Sequence, residues 1–184
     1  MKKKLCLTLA IICLFTLALS ACSGGAASAG DAEPAASAAE SGSEELVSYD
    51  TGLGLTIKMK AGMERDEVEG LSVFYSADDC MMSGIRETFE DFSAVGLDGA
   101  ATTLEEYAEL VKQANALEND FETGPGGKPF ITYTRNINGD DFFYYTMLLK
   151  GSDAFWTISF ASLDSEQGEF LPQFEAWSAS AEAA

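Results

Sequence analysis

Cys22 is the residue whose position most clearly suggests chemistry. It follows an almost entirely apolar run over residues 5–19 and two small residues, Ser20 and Ala21, and it precedes a segment rich in alanine, serine and glycine. A thiolate is a strong nucleophile that can form a thioether bond. Small neighbours leave room around the sulfur, so covalent modification is the chemistry that this position would suit.

The rest of the sequence offers few groups for catalysis. It contains no histidine, so neither a Ser-His-Asp nor a Cys-His arrangement can form. Cys80 is the one cysteine after residue 22, and without a histidine to activate it we expect a buried, inert thiol beside Met81 and Met82. A serine–lysine pair would need a lysine from the segment after residue 45, and none of these lies in a recognisable motif: Lys58, Lys60, Lys112, Lys128 and Lys150.

Carboxylates are abundant but form no recognisable site. The pairs Asp78–Asp79 and Asp140–Asp141 are expected by chance in so acidic a chain, and we interpret them as solvated turns. Zinc is not expected without histidine. Calcium binds carboxylates and carbonyls, and residues 98–105 and 138–141 are the places to inspect for it, although neither has the spacing of a known calcium loop. No catalytic residue, metal ligand or cofactor is therefore predicted.

The N-terminus resembles a bacterial lipoprotein signal. Three lysines precede the apolar run, whose length suits the core of a signal peptide and falls short of the roughly 20 residues of a membrane-spanning helix. The run ends in Leu19-Ser20-Ala21-Cys22, which resembles the lipobox, where a leucine and two small residues precede an invariant cysteine. An ordinary secretory signal peptide that contains a cysteine, or an uncleaved anchor, is the alternative.

The lipobox implies a processing route and a location. Residues 1–21 would be removed as the signal peptide, and Cys22 would begin the mature protein with acyl chains such as palmitate attached to it. Stable anchoring takes at least two lipid chains, and each buried methylene adds about 0.8 kcal/mol of membrane affinity. The resemblance thus implies lipidation of Cys22 and attachment to the outer face of the bacterial cytoplasmic membrane.

Residues 22–45 are predicted to form a disordered tether. After Cys22 they contain only serine, glycine, alanine, acidic residues and one proline, a composition that cannot bury a core. A flexible chain of this length spans about 25 Å root-mean-square. That distance would lift a domain off the lipid headgroups.

The net charge excludes two classes of partner. Without its three signal lysines the chain has eight basic residues against 30 acidic ones, a net charge near −22. Nucleic-acid binding depends on neutralising phosphates, so no nucleic acid is expected as a partner. A protein of this charge is also not expected to lie flat on anionic lipid.

Apolar periodicity over residues 46–184 predicts one α+β domain. A helix over residues 102–115 is predicted by apolar residues at helical spacing and by either of two capping boxes, Thr102 with Glu105 or Thr103 with Glu106. Hairpins link the remaining elements, so we predict a mostly antiparallel β-sheet with helices packed on it. These other elements are strands at 46–50, 53–59, 70–77, 80–90, 118–122, 130–136, 141–150 and 154–162, a loop at 91–101, a tight hairpin turn at Asn138–Gly139 and a final helix after Asp164 or Ser165.

The same periodicity predicts which side chains share a face. The strand at 141–150 is apolar on both faces and should therefore be central and covered on both sides. The other sets predicted to share a face are Leu53, Leu55, Ile57 and Met59 in the strand at 53–59, Met81, Ile85 and Phe89 in the strand at 80–90, and Phe170, Phe174 and Trp177 in the final helix.

Several phrases of the domain resemble the PsbP-like family. They are GLGLTIKMKAG at 52–62, TLEEYAELVKQAN at 103–115, GKPFITYTRNINGDDFFYYTMLLKGSDAFWTISFAS at 127–162 and FLPQFEAWSAS at 170–180. The family includes the extrinsic P subunit of photosystem II, a small nuclear-import factor that binds the GTPase Ran, and many bacterial lipoproteins of unknown role. Its members mostly bind proteins or stabilise assemblies, so the resemblance implies a non-enzymatic PsbP-like domain over residues 46–184.

These observations favour a surface lipoprotein that binds a protein or another envelope component and is not an enzyme. One alternative is a small hydrolase or carbohydrate-active enzyme that uses carboxylates alone. Another is a solute-binding lipoprotein of a transporter, against which a single domain without a second lobe argues. Aromatic residues are predicted to lie mainly in the core, and any on an uncovered sheet face would mark a partner surface: Tyr133, Tyr144, Tyr145, Phe155, Trp156 and Trp177.

Overall fold

The structure, a computed structural model, describes residues 46–184. The predicted signal peptide, Cys22 and the predicted tether lie outside the described residues. Within residues 46–184 the strands are β1 (Leu46–Asp50), β2 (Leu55–Lys60), β3 (Glu64–Asp66), β4 (Val73–Ser76), β5 (Cys80–Thr88), β6 (Glu122–Thr123), β7 (Pro129–Ile137), β8 (Asp140–Lys150), β9 (Ala154–Leu163) and β10 (Glu182–Ala183). The helices are α1 (Phe89–Ala94), α2 (Leu104–Ala114) and α3 (Gln167–Ser180), with 3₁₀ turns at Pro125–Gly127 and Asp164–Glu166.

Every strand pairing in the described part of the chain is antiparallel. Seven strands form a large sheet in the order β3-β4-β5-β9-β8-β7-β6, and three form a small sheet in the order β1-β2-β10. Short turns join neighbouring strands of the late meander, which is what local hairpin signals favour. The predicted α+β fold with a mostly antiparallel sheet and packed helices is confirmed.

The main core lies between one face of the large sheet and a cover made by the small sheet and α3. Leu55 and Ile57 point inward from β2, and Phe174 and Trp177 point inward from α3, as predicted. Phe160 of β9 contacts both α3 rings, with centroids 5.4 Å and 5.6 Å away. Burial of these large side chains is the dominant stabilising term for this layer.

A second core lies on the opposite face of the large sheet, beneath α1 and α2. Phe92 of α1 and Tyr107 of α2 pack on Phe155 of β9, and the Tyr107 and Phe155 rings stack with centroids 4.3 Å apart. Leu148 of β8 belongs to this core, whereas Phe143 of β8 belongs to the main one. The prediction that this strand is central is therefore confirmed. The predicted cover on its second face is found at Leu148, whereas Phe142 and Tyr144 on the same face stay partly exposed beyond the helices.

Two local signals act as predicted. Thr103 caps α2: its hydroxyl accepts the Glu106 N–H, and the Glu106 carboxylate accepts the Thr103 N–H at 2.8 Å. Asn138 and Gly139 connect β7 to β8 with φ values of +55° and +105°. Both central residues of a type I′ hairpin turn need positive φ, and asparagine and glycine adopt it most easily.

The predicted face of β5 is wrong. Cys80, Met82 and Gly84 face the main core, whereas Met81 and Ile85 lie on the opposite face. Gly84 hides the correct phase in the sequence because it contributes no apolar side chain. The structure requires a glycine there, since an added Cβ would lie 2.6 Å from Val73 Cγ2.

Helix α1 replaces part of the predicted loop at 91–101. Phe89, predicted to lie in the strand at 80–90, is the first residue of this helix. Thr88 caps α1 by accepting the Asp91 N–H at 3.1 Å, and Asp91 accepts the Thr88 N–H at 2.7 Å. The high alanine and glycine content of the segment obscured this short helix, although Thr88 and Asp91 are the local signal that could have revealed it. The strand predicted at 118–122 is wrong except at its last residue, because Glu122 begins the two-residue strand β6 and residues 118–121 form no strand.

Glu87 is a carboxylate held between the large sheet and α2. Its Oε2 accepts a 2.6 Å hydrogen bond from the Tyr107 hydroxyl, which lies 2.8 Å from Thr157 Oγ1. Burial raises the pKa of Glu87 above 4.5, and the hydrogen bond from Tyr107 offsets only part of that effect. The folded state therefore binds a proton here more tightly than the unfolded chain does.

Replacing Glu87 with glutamine should remove one pH-dependent contribution to stability. A raised folded-state pKa stabilises the fold at low pH, and that stabilisation is lost as pH rises from 4.5 through the folded pKa. The free energy of unfolding of the wild type minus that of Glu87→Gln should therefore fall over this range. One proton limits the slope to about 1.4 kcal/mol per pH unit.

Urea unfolding of both proteins between pH 4 and 8 measures this difference. Glu109→Gln, on the exposed side of α2, is the matched control. A difference that stays constant with pH, or that the control reproduces, would contradict the assignment to Glu87.

Candidate binding face

Helices α1 and α2 cover only part of their face of the large sheet. Beyond them, neighbouring strands place Tyr133, Tyr144, Ala161 and Met81 in one row, because these residues are successive register partners across β7, β8, β9 and β5. Side chains of register partners lie on the same face of a sheet. Met81, Tyr133 and Tyr144 are partly exposed, whereas Ala161, between Met81 and Tyr144, is 1% exposed. We call this partly exposed region, together with Arg135, the open face.

Tyr133 and Tyr144 form an aromatic pair on the open face. Their rings stack with centroids 5.2 Å apart and planes 7° from parallel, and neither residue belongs to either core cluster. The Arg135 guanidinium lies 5.1 Å from the Tyr133 ring centroid, close enough for a cation–π interaction. Both tyrosines remain partly exposed. Part of this aromatic pair is thus accessible to solvent.

Hydroxyl groups beside the pair are already hydrogen-bonded to one another. The Tyr133 hydroxyl lies 3.2 Å from Thr146 Oγ1, and Thr146 Oγ1 lies 2.7 Å from Ser159 Oγ. Burial raises the pKa of Tyr144, and a charge on Tyr133 would raise it further, so this phenol stays neutral. These hydrogen bonds hold the Tyr133 ring in place and leave no activated nucleophile at the pair.

A groove of about 550 Å³ continues from the open face at one end of the large sheet. Because β5, β9 and β8 are antiparallel neighbours, the start of β5, the end of β9 and the start of β8 meet at this end. The floor of the groove is apolar and is formed by Met81, Phe142, Ala161 and Leu163. Leu163 is 40% exposed, which is unusual for a leucine at the end of a central strand.

The groove wall carries carboxylates and, among the described residues, neither lysine nor arginine. We call this feature the acidic groove, and its acidic residues are Asp66, Asp78, Asp79, Asp140 and Glu166. Burial would raise the pKa of Asp79, but its hydrogen bond and ion pair with Lys60 outweigh that effect and lower it. Within residues 46–184, the other four acids form no salt bridge.

Most predicted aromatic candidates are core residues, as expected. Tyr145, Phe155, Trp156 and Trp177 are each 1% exposed or less. Cys80 is 4% exposed, and its thiol lies 3.9 Å from Met63 Sδ. Burial raises the pKa of this thiol to about 12, so the predicted burial of Cys80 is confirmed and the thiolate is not formed near neutral pH.

Several of the acidic residues and lysines considered for catalysis or for calcium hold turns or form ion pairs. Asp141 accepts a 2.8 Å hydrogen bond from Asn136, and Asp98 accepts the Ala101 N–H at 3.1 Å. The Lys128 ammonium donates to the carbonyls of Ser178 and Ala179. Lys150 donates to two carbonyls before α2, and Lys112 pairs with Asp120. Within residues 46–184, no group of three or more acidic or cysteine side chains is arranged to hold a metal ion.

The acidic groove is a feature that the sequence analysis missed. The sequence predicts Asp78, Asp79 and Asp140 as solvated turn residues, and the strand order brings them to the same end of the sheet. β9 lies between β5 and β8 and is antiparallel to both, so β5 and β8 run in the same direction. The turns that precede these two strands therefore lie at the same end of the sheet. The strand order, which local patterns do not reveal, was the missing information.

No known protein family matches the sequence, and no curated protein matches it. The solution structure of cyanobacterial PsbP (CyanoP) from Synechocystis sp. PCC 6803 matches 80% of this chain and 98% of its own, with 15% identity and a TM-score of 0.42.

A second solved structure is a protein from Bacteroides thetaiotaomicron VPI-5482. It matches 77% of this chain with 9% identity and a TM-score of 0.47, and the match spans 48% of that protein's length. At these values no residue role or activity transfers to this chain from either structure. Over residues 46–184, no helix has the length and apolar character to cross a bilayer.

Proposed function

We propose that this chain is a lipid-anchored surface protein whose domain binds a protein or another envelope component through the open face. The lipobox-like Leu19-Ser20-Ala21-Cys22 supports the anchor, with lipid on Cys22 holding the domain at the outer face of the bacterial cytoplasmic membrane. The resemblance to PsbP-like proteins, which mostly bind proteins or stabilise assemblies, supports a non-enzymatic role.

The observation that carries the binding proposal is the stacked pair of Tyr133 and Tyr144 on a partly exposed sheet face. Tyrosine is enriched at protein interfaces because it buries a large area at a small entropic cost and keeps a polar tip. Stacking and the contact with Arg135 hold both rings in place before a partner arrives. A partner would therefore lose little free energy in ordering them.

Substituting both tyrosines should strongly weaken partner binding without unfolding the domain. The full chain, purified in a nonionic detergent and immobilised, is probed with cell-envelope extract, and any retained partner is identified and purified. We expect the affinity of Tyr133→Ala/Tyr144→Ala for that partner to fall at least about 30-fold, since interface anchors of this type contribute on the order of 2 kcal/mol or more.

Two variants make the test specific. Tyr133→Phe/Tyr144→Phe keeps the stacked rings and should retain most of the affinity, and Leu97→Ala removes an exposed apolar side chain from the segment between α1 and α2. Equal affinity for the alanine variant and the Leu97→Ala control would contradict the proposed face. An enzymatic turnover with no specific partner would contradict the binding role itself and favour the hydrolase.

A further inference from the structure

We propose that the acidic groove binds a basic segment of the partner protein, with lysine or arginine at its wall and an apolar side chain on its floor. The proposal rests on the proposed binding function and deepens it by naming the chemistry of the partner. The groove adjoins the open face, because Met81 and Ala161 belong both to the groove floor and to the row that contains Tyr144. One partner could therefore occupy both.

Size and lining fit a few side chains and not a whole surface. A volume of about 550 Å³ falls within the range of sites that enclose small ligands. The apolar floor, with Leu163 and Phe142 accessible at the end of the sheet, provides the hydrophobic contact. A short peptide segment with one or two apolar side chains would remove this floor from water.

Charge complementarity identifies the partner as basic. Asp66, Asp78 and Asp140 are exposed at the groove and form no salt bridge among the described residues. Clefts lined by charges of one sign concentrate the field and attract ligands of the opposite sign. An acidic segment or an anionic lipid headgroup would be repelled from the same wall.

Glu166 adds a fifth acidic residue to the lining of the groove. Its Oε2 is closed to solvent and accepts no hydrogen bond from any residue in 46–184. An occupant of the groove could not reach this oxygen unless the side chain moved. The attraction for a basic occupant therefore comes from the exposed carboxylates of Asp66, Asp78 and Asp140.

The overall acidity of the chain is the competing explanation, and the test must separate it from the groove. The probe is a labelled hexapeptide of three lysines alternating with two leucines and one phenylalanine, and its binding to the full chain in nonionic detergent is followed by fluorescence anisotropy. Control peptides carry glutamate in place of lysine, or serine in place of the apolar residues. We expect binding of the first peptide alone, weakened as salt rises from 50 to 500 mM.

Two triple variants change the net charge equally at different places. Asp66→Asn/Asp78→Asn/Asp140→Asn acts at the groove, where the three exposed side chains have no ion pair to lose. Glu105→Gln/Glu109→Gln/Glu118→Gln acts on and just after α2. We expect the groove variant to weaken peptide binding at least about tenfold and the α2 variant less than about twofold. Leu163→Ser should weaken it at least about threefold.

The outcomes also separate this proposal from the proposed function. Equal weakening by both triple variants, or binding of the glutamate peptide, would overturn the acidic groove as a basic-segment site. If the groove variant binds the peptide with unchanged affinity while Tyr133→Ala/Tyr144→Ala has reduced affinity for the natural partner, the groove proposal fails and the proposed function stands. If the peptide depends on the groove and no partner depends on the two tyrosines, the groove proposal stands and the open face is the wrong surface.

Discussion

Replacing Cys22 with serine is expected to abolish acylation of the chain and its retention at the membrane. A serine hydroxyl cannot form the thioether that a lipobox cysteine forms, so neither the lipid nor the cleavage that depends on it should follow. Incorporation of labelled palmitate should fall to background, and the chain should accumulate as uncut precursor or leave the membrane fraction. Palmitate labelling, electrophoretic mobility and fractionation of cells producing each form measure these effects.

A cysteine within the predicted signal peptide provides the matched control. Cys13→Ser makes the same chemical change nine residues earlier in the chain and should leave labelling, processing and fractionation unchanged. Mass spectrometry of the mature wild-type protein should place the acyl groups on Cys22 as its first residue. Unaltered labelling of the Cys22→Ser chain would show that the lipobox interpretation is wrong.

Leu55→Ala is expected to destabilise the domain by about 2–5 kcal/mol, and Leu53→Ala by about 0.5 kcal/mol or less. Leu55 is fully buried in the main core at the start of β2, where it pairs with Ala183. Leu53 is 43% exposed, contrary to the predicted alternation of this segment. Gly54 has φ +85° between the two leucines, which ends the extended strand before Leu53 is reached.

Urea unfolding of the two variants and the wild type measures this contrast. Both substitutions remove the same atoms, so the difference between them reports burial and not residue type. The denaturant slope should stay unchanged, because neither substitution alters the surface exposed by global unfolding. Similar losses of stability at both positions would mean that the turn before β2 is not where the structure places it.

Several local features of the fold could be predicted from the sequence because their causes lie within a few residues. Thr103 and Glu106 satisfy each other's backbone groups at the start of α2, and Asn138–Gly139 adopts the positive φ values that a tight hairpin needs. The two apolar faces of β8 likewise indicated a central strand. Local hydrogen bonding and conformational preference suffice to determine such features.

Local patterns do not determine which face of β5 meets the core. Alternation with a period of two shows that every second residue of a strand shares a face, but it does not show which of the two faces meets the core. In β5 the core-facing residues include Gly84, which has no apolar side chain to indicate burial. Only Val73 and Trp156, which come from other strands, explain why a glycine is needed there.

Composition and local patterns are enough to identify an acidic α+β chain without histidine, with a lipobox-like motif ending at Cys22 and no recognisable catalytic motif. Long-range packing is what places Tyr133 and Tyr144 on a partly exposed face and Tyr145 in the core. It also brought Asp78 and Asp140 to one groove. Composition and short motifs are properties of neighbouring residues, whereas coverage of a sheet and convergence of distant turns depend on strand order and helix placement, which are set by long-range packing.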